Sequence, residues 1–113
     1  MRLITKIVVH CSATPPKRNI GVRDISDMHK ARGFKLTDGT HCGYHWVIRR
    51  DGTVERGRKE GSVGAHVLNH NATSIGICLV GGIAADGRSE NNFTEAQFAA
   101  LRGLLREGMD RYP

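Results

Sequence analysis

No apolar stretch in the 113 residues approaches the ~20 that a membrane-spanning helix requires, so membrane insertion is not expected. The opening segment, MRLITKIVVH, is too short and too polar at its head for a secretory signal, which predicts synthesis in the cytoplasm. Cysteine is sparse. Cys11, Cys42 and Cys78 form an odd set with no CxxC pair, which argues against a disulfide framework and suits a reducing compartment. Aromatic residues make up only 5% of the chain, too few to interleave with the basic residues as a stacking platform for single strands. Helix-turn-helix and zinc-finger spacings are also missing, so nucleic acid is not an expected partner. No HExxH or comparable histidine pair is present, so spacing alone announces no metal site.

What is there describes an ordinary folded domain. Hydrophobic residues are 39% and charged residues 25% of the chain. The length allows one domain, residues 1–113, which should bury roughly two-thirds of the surface its unfolded form exposes. Seventeen basic against 11 acidic residues give +6 and a pI near 9.7. That excess suits an anionic partner such as a nucleic acid, an acidic cell-wall polymer or a membrane surface, or else simply aids solubility.

Leu3 to His10 is a β-branched run that reads as a buried strand ending at a histidine. Pro15-Pro16 interrupts regular structure soon after. Helical spacing follows at Ile25, Met28, His29 and Arg32, with Gly33 placed to end that helix. His29 there reads as a packed or surface residue. Tyr44 to Arg50 predicts the next strand, Asp51-Gly52 a two-residue hairpin turn, and Thr53 to Arg56 the returning strand. Gly57 to Asn71 carries glycines and histidines without periodicity and reads as a functional loop. Ser74 to Val80, nearly continuous in apolar character, suits a central strand covered on both faces. Thr94 and Gln97 make a capping box with Phe93 and Phe98 as its staple, and Phe98, Leu101, Leu105 and Met109 predict an apolar helix stripe. Alternating elements with one hairpin imply an α/β domain with a mixed parallel and antiparallel sheet flanked by helices.

Six histidines occur in the chain. His10 closes an apolar strand, where ligands often sit on a rigid base, yet by position alone it is equally a satisfied histidine. Tyr44 alone reads as a packing tyrosine, and His66 in its Gly-Ala-His setting as a weak candidate for substrate contact.

Together the segments VVHCSATPP, GYHWVIRRDGTV, VGAHVLNHNATSIGICLVGG and NFTEAQFAALRGLL resemble, in order and spacing, the zinc-dependent N-acetylmuramoyl-L-alanine amidases of type 2. That family includes the peptidoglycan recognition proteins, and the likeness runs furthest toward the short lysozymes (endolysins) of T-odd phages. The resemblance covers about Ile7 to Leu105. It implies a hydrolase of phage or prophage origin that cuts the amide between N-acetylmuramic acid and the L-alanine of the stem peptide. It also implies a zinc ion held by two histidines and a cysteine, or an aspartate in some branches, leaving a fourth position for water. His10 matches the first zinc ligand, Tyr44 the active-site tyrosine, and His66 a cleft histidine assigned to substrate contact. Cys11 should face away from the ligand side, and Cys42, Cys78 and His45 are expected to be structural, with His41 and His70 unassigned. The family's second histidine, a catalytic lysine and the cysteine ligand follow the last helix. Their counterparts are expected beyond Pro113, together with a C-terminal strand of the sheet. The expected partner is the muropeptide of the periplasmic cell wall, reached by a monomer after release from the cytoplasm. A phage RNA polymerase is a second partner that the resemblance allows, and a non-catalytic peptidoglycan-binding module is the alternative function.

Overall fold

The computed structural model describes residues 2–113. Its sheet has four strands: β1 (Lys6–Cys11), β2 (Trp46–Ile48), β3 (Val54–Arg56) and β4 (Ser74–Leu79). The spatial order is β1-β4-β2-β3, with β4 parallel to both β1 and β2, and β3 antiparallel to β2. The expected mixed sheet is therefore present. Two helices, α1 (Val22–Ala31) and α2 (Glu95–Arg111), accompany it.

Strand β4 is buried along its whole length, as its apolar run predicts, and it divides the core in two. Alternate side chains of a strand point to opposite faces. Ile75, Ile77 and Leu79 pack with Ile48 and Leu104 under α2. Cys78 and Val80 pack with Ile20, Ile25, Cys42 and Val47 on the α1 face. His10 pairs in register with Cys78, which in turn pairs with Val47, so His10 belongs to the α1 face.

Helix α2 starts where the capping box places it. Thr94 Oγ1 accepts from the Gln97 N–H (3.1 Å), and Gln97 Oε1 accepts from the Thr94 N–H (2.9 Å). Phe93 and Phe98 meet edge to face with centroids 6.2 Å apart, the expected staple. Gln97 also joins helix to sheet. Fully buried, it donates to the carbonyls of Ile48 (3.1 Å) and Val80 (2.8 Å).

Several boundaries differ from the sequence expectation. Strand β1 begins at Lys6 rather than Leu3, and runs on through Cys11. Strand β2 begins at Trp46, because Tyr44 and His45 bond outward irregularly, to Arg58 and Gly76 (3.0 and 2.9 Å). The hairpin turn is not a two-residue one. The Gly52 N–H bonds to the Arg49 carbonyl and the Arg49 N–H to that of Thr53, leaving Arg50 to Gly52 as the loop. Only Gly52, at φ +88°, takes the left-handed region, which suits a type I turn closed by glycine rather than the two positive φ angles of a type I′ turn. Met109 is 64% exposed and Met28 38%, so neither belongs to its predicted stripe. The α1 stripe is carried by Val22, Ile25 and His29. The last turn of α2 overhangs β1, which has a strand neighbour on one side only among the described residues.

Replacing Gln97 with Leu should lower the urea unfolding free energy by about 2 kcal/mol, because the Thr94 N–H and the Arg50 guanidinium lose a buried acceptor. Arg102→Gln, on the exposed face of the same helix, should change it by less than about 0.5 kcal/mol.

Candidate active site

Three side chains that the sequence placed far apart meet on the α1 face. His10 Nε2 lies 2.9 Å from His66 Nδ1. The Tyr44 ring sits with its centroid 5.4 Å from that of His10, and His29 closes the other side of Tyr44 at 5.4 Å. All three expected site residues are thus within one cluster.

The loop from Gly57 to Asn71 is held by specific bonds rather than by regular structure. Asn71 Oδ1 accepts from the backbone N–H groups of His66 and Val67, both at 2.9 Å. The Ala65 N–H bonds to the Gly43 carbonyl (3.0 Å), which brings the loop against the residue preceding Tyr44. Gly43 in turn donates its N–H to His29 Nδ1 (2.9 Å), fixing the entry to Tyr44 from below. His66 then lies over Gly76, where an added Cβ would stand 2.6 to 2.8 Å from the imidazole atoms. A side chain on that strand position would exclude the ring.

Neutral groups line this region. Burial, then the nearby charges of Arg32 and Arg58, pushes His29 down to about 4. Burial, with His10 and His45 next to it, pushes His66 down to about 4 as well. Burial also lowers His10. The Tyr44 phenol is raised, chiefly by burial, so it stays protonated and can donate. Burial raises Cys42 to about 11 and lifts Cys78 further, which makes both unreactive packing thiols.

A cleft of about 330 Å³ opens beside the cluster, lined by His29, Arg32, Phe34, Tyr44, His66 and Leu68 among others. Larger hollows of about 590 and 610 Å³ lie along α1 and α2, but no histidine, cysteine or tyrosine lines either.

The remaining histidines and cysteines are held as structure. His45 is fully buried; its Nδ1 accepts from the Gly76 N–H (3.0 Å), so its proton lies on Nε2 and goes to the Ser62 carbonyl (2.8 Å). His41 Nδ1 bonds the Phe34 carbonyl (2.9 Å), and His70 Nδ1 accepts from Lys6 (3.2 Å). Cys11 faces the other side of the sheet, beside Gly82, as strand alternation requires.

A catalytic zinc takes three protein ligands. Among the described residues no group of three histidine, cysteine or acidic side chains could hold a metal ion. His66 has both ring nitrogens engaged, and Cys78 is a buried thiol. His10 is one ligand position without companions, so these residues do not make a zinc site by themselves.

The N-acetylmuramoyl-L-alanine amidase family profile matches residues 1–113. The chain belongs to that family. Among its relatives, the endolysin of Enterobacteria phage K11 is 50% identical over 109 residues, covering 96% of this chain and 69% of that protein. The endolysin of Escherichia phage T7 is 50% identical over 106 residues, covering 94% of this chain and 67% of that protein. The amidase LysC from Clostridium intestinale superposes with a TM-score of 0.78 at 33% identity, over 96% of this chain and 64% of LysC. The chain therefore spans about two thirds of the length of these relatives.

Three residues of the site were not singled out from the sequence: Ser74, Asn71 and Gly76. A lone glycine inside the apolar run SIGICLV is the one available signal, since glycine within a strand often marks close approach by another group. Stability should respond to the buried histidines. With folded values of about 4, below the ordinary 6.5, the unfolded chain binds more protons over that interval. The urea midpoint should be highest above pH 6.5, fall as pH drops toward 4, and lose nothing further from these two groups below that. A midpoint that stays level across this window would show that His29 and His66 are not buried as neutral rings.

Proposed function

We propose that this chain provides the peptidoglycan-binding cleft and part of the catalytic apparatus of a hydrolase. The bond cut is the amide between N-acetylmuramic acid and the L-alanine of the stem peptide. The convergence of His10 with Tyr44 and His66, the latter two lining the cleft, is the observation that carries this reading. Attack on an amide places negative charge on the carbonyl oxygen. A protonated phenol held against His10 is suited to donate a hydrogen bond to that oxygen. His66 lines the cleft as a contact for substrate. Zinc is the ion proposed for the enzyme, with His10 among its ligands and the others supplied from outside these residues. Family membership and the phage endolysin relatives support an endolysin role, in which the protein is made in the cytoplasm and acts on the periplasmic wall after release.

A second reading is binding without cleavage. It is favoured by the lack of a three-ligand cluster among the described residues. A structural neighbour of this kind is the peptidoglycan recognition protein LE in complex with tracheal cytotoxin, a monomeric diaminopimelic acid-type peptidoglycan, at TM-score 0.75 and 26% identity.

The readings separate in one assay: the protein, in a form extended to include the outside ligands proposed above, is mixed with purified peptidoglycan and zinc, in salt high enough to screen the +6 charge of this chain. Retention on the pellet with release of stem peptides supports the enzyme, and retention alone supports the binding module. Tyr44→Phe should cut release by about 10²–10³-fold while leaving retention intact, as expected for loss of an oxyanion donor. No retention would sink both readings.

A further inference from the structure

The hydrogen bonds around His66 assign every proton in the group it joins. Ser74 is fully buried at the start of β4, and its hydroxyl donates to the His70 carbonyl (2.8 Å). Toward His66 Nε2, 3.2 Å away, that hydroxyl can then only accept. Nε2 of His66 therefore carries the ring proton, and in a neutral imidazole its Nδ1 is bare. That bare nitrogen faces His10 Nε2 at 2.9 Å, so His10 is the donor and its own Nδ1 is left bare in turn. No hydrogen bond to His10 Nδ1 occurs among the described residues.

We infer that His66 and Ser74 are positioning residues, a relay that locks His10 in one tautomer and one ring orientation with its Nδ1 lone pair free. The inference deepens the proposed function and rests on it for the use of that lone pair. The relay itself stands on the hydrogen-bond geometry. Histidines that bind a metal or a proton commonly donate their other N–H to a fixed acceptor, which sets the tautomer and raises basicity. The acceptor is usually a carboxylate or a carbonyl. Here it is a second imidazole, oriented by a serine one step further back.

The surrounding fold is built to hold that second ring still. Asn71 grips its backbone, and Gly76 supplies the space in which it lies. A neutral acceptor also avoids placing a carboxylate in a partly buried cluster that holds no other acid. One consequence bears on substrate: with both nitrogens of His66 in use, its contact with a muropeptide is through the ring face and not through a ring hydrogen bond.

Long-range ¹H–¹⁵N correlation spectra of the metal-free, substrate-free protein at neutral pH test this. The wild type should show protected Nε2–H signals for both His10 and His66, with Nδ1 of each bare. Ser74→Ala, which does not touch His10, should remove the protection of the His10 ring proton while the backbone amide spectrum stays folded. If Ser74→Ala fails to fold, His66→Asn and His66→Leu carry the test. The amide oxygen of Asn can replace Nδ1 as acceptor and should keep the His10 signal, whereas Leu should lose it. A wild-type His10 protonated on Nδ1 would overturn the relay. So would a His10 signal unchanged by both Ser74→Ala and His66→Leu. Because neither metal nor peptidoglycan is present, such a result would leave the hydrolase reading standing, and failure in the peptidoglycan assay would leave the relay standing.

Discussion

The site depends on a place in the sheet where there is no side chain. Gly76 occupies the middle of the central strand, on the face that carries His10 and Cys78. Its missing Cβ lets the His66 ring settle directly on the backbone, and its N–H is the donor that fixes His45. Two imidazoles, 5.9 Å apart, are thus organised by one residue that contributes only main chain. Were the sheet surface continuous there, His66 would ride higher and could not meet His10 at hydrogen-bond distance. Strand β4 therefore does two unlike things. One of its faces is an aliphatic floor for α2, and the other is a shelf for polar rings.

The basic excess looks different once the side chains are placed. Arg2 donates to the carbonyls of Glu60, Asn71 and Ser74, at 3.0 to 3.1 Å. Arg58, only 7% exposed, reaches those of Cys42 and Val63, and Arg50 those of Val80 and Asn92. Loops without regular structure leave carbonyl oxygens unpaired, and burying those is costly. A guanidinium, with five donors on a planar fork, can satisfy several at once. Part of the positive charge is thus explained by the architecture of the long loop, without calling on an anionic partner.

What could be read from the sequence divides along the same line. The capping box of α2 was legible because Thr94, Gln97, Phe93 and Phe98 interact within about one turn, where spacing alone dictates contact. The fully buried central strand was legible from its unbroken apolar run. The meeting of His10, Tyr44 and His66 rested on likeness to a family, since no local pattern connects positions so distant in the chain. Ser74 and Asn71 escaped notice for a related reason. Their roles come from where the loop lands after β4 pairs between β1 and β2, and that register is a property of the whole sheet. Met109 misled because its spacing is helical but the sheet beneath the last turn ends at β1.

Glu60 joins segments that lie far apart in the chain. Its carboxylate receives the Tyr112 hydroxyl (2.7 Å), the Arg111 guanidinium (2.9 Å) and the Trp46 indole N–H (2.7 Å), while its carbonyl receives Arg2 (3.0 Å). Arg2 and the last turn of α2 are thereby moored to one loop residue and share the walls of one hollow. Losing that carboxylate would strip the Arg111 guanidinium, the Tyr112 hydroxyl and the Trp46 indole N–H of an acceptor at once, so one loop residue ties the sheet to the last turn of α2.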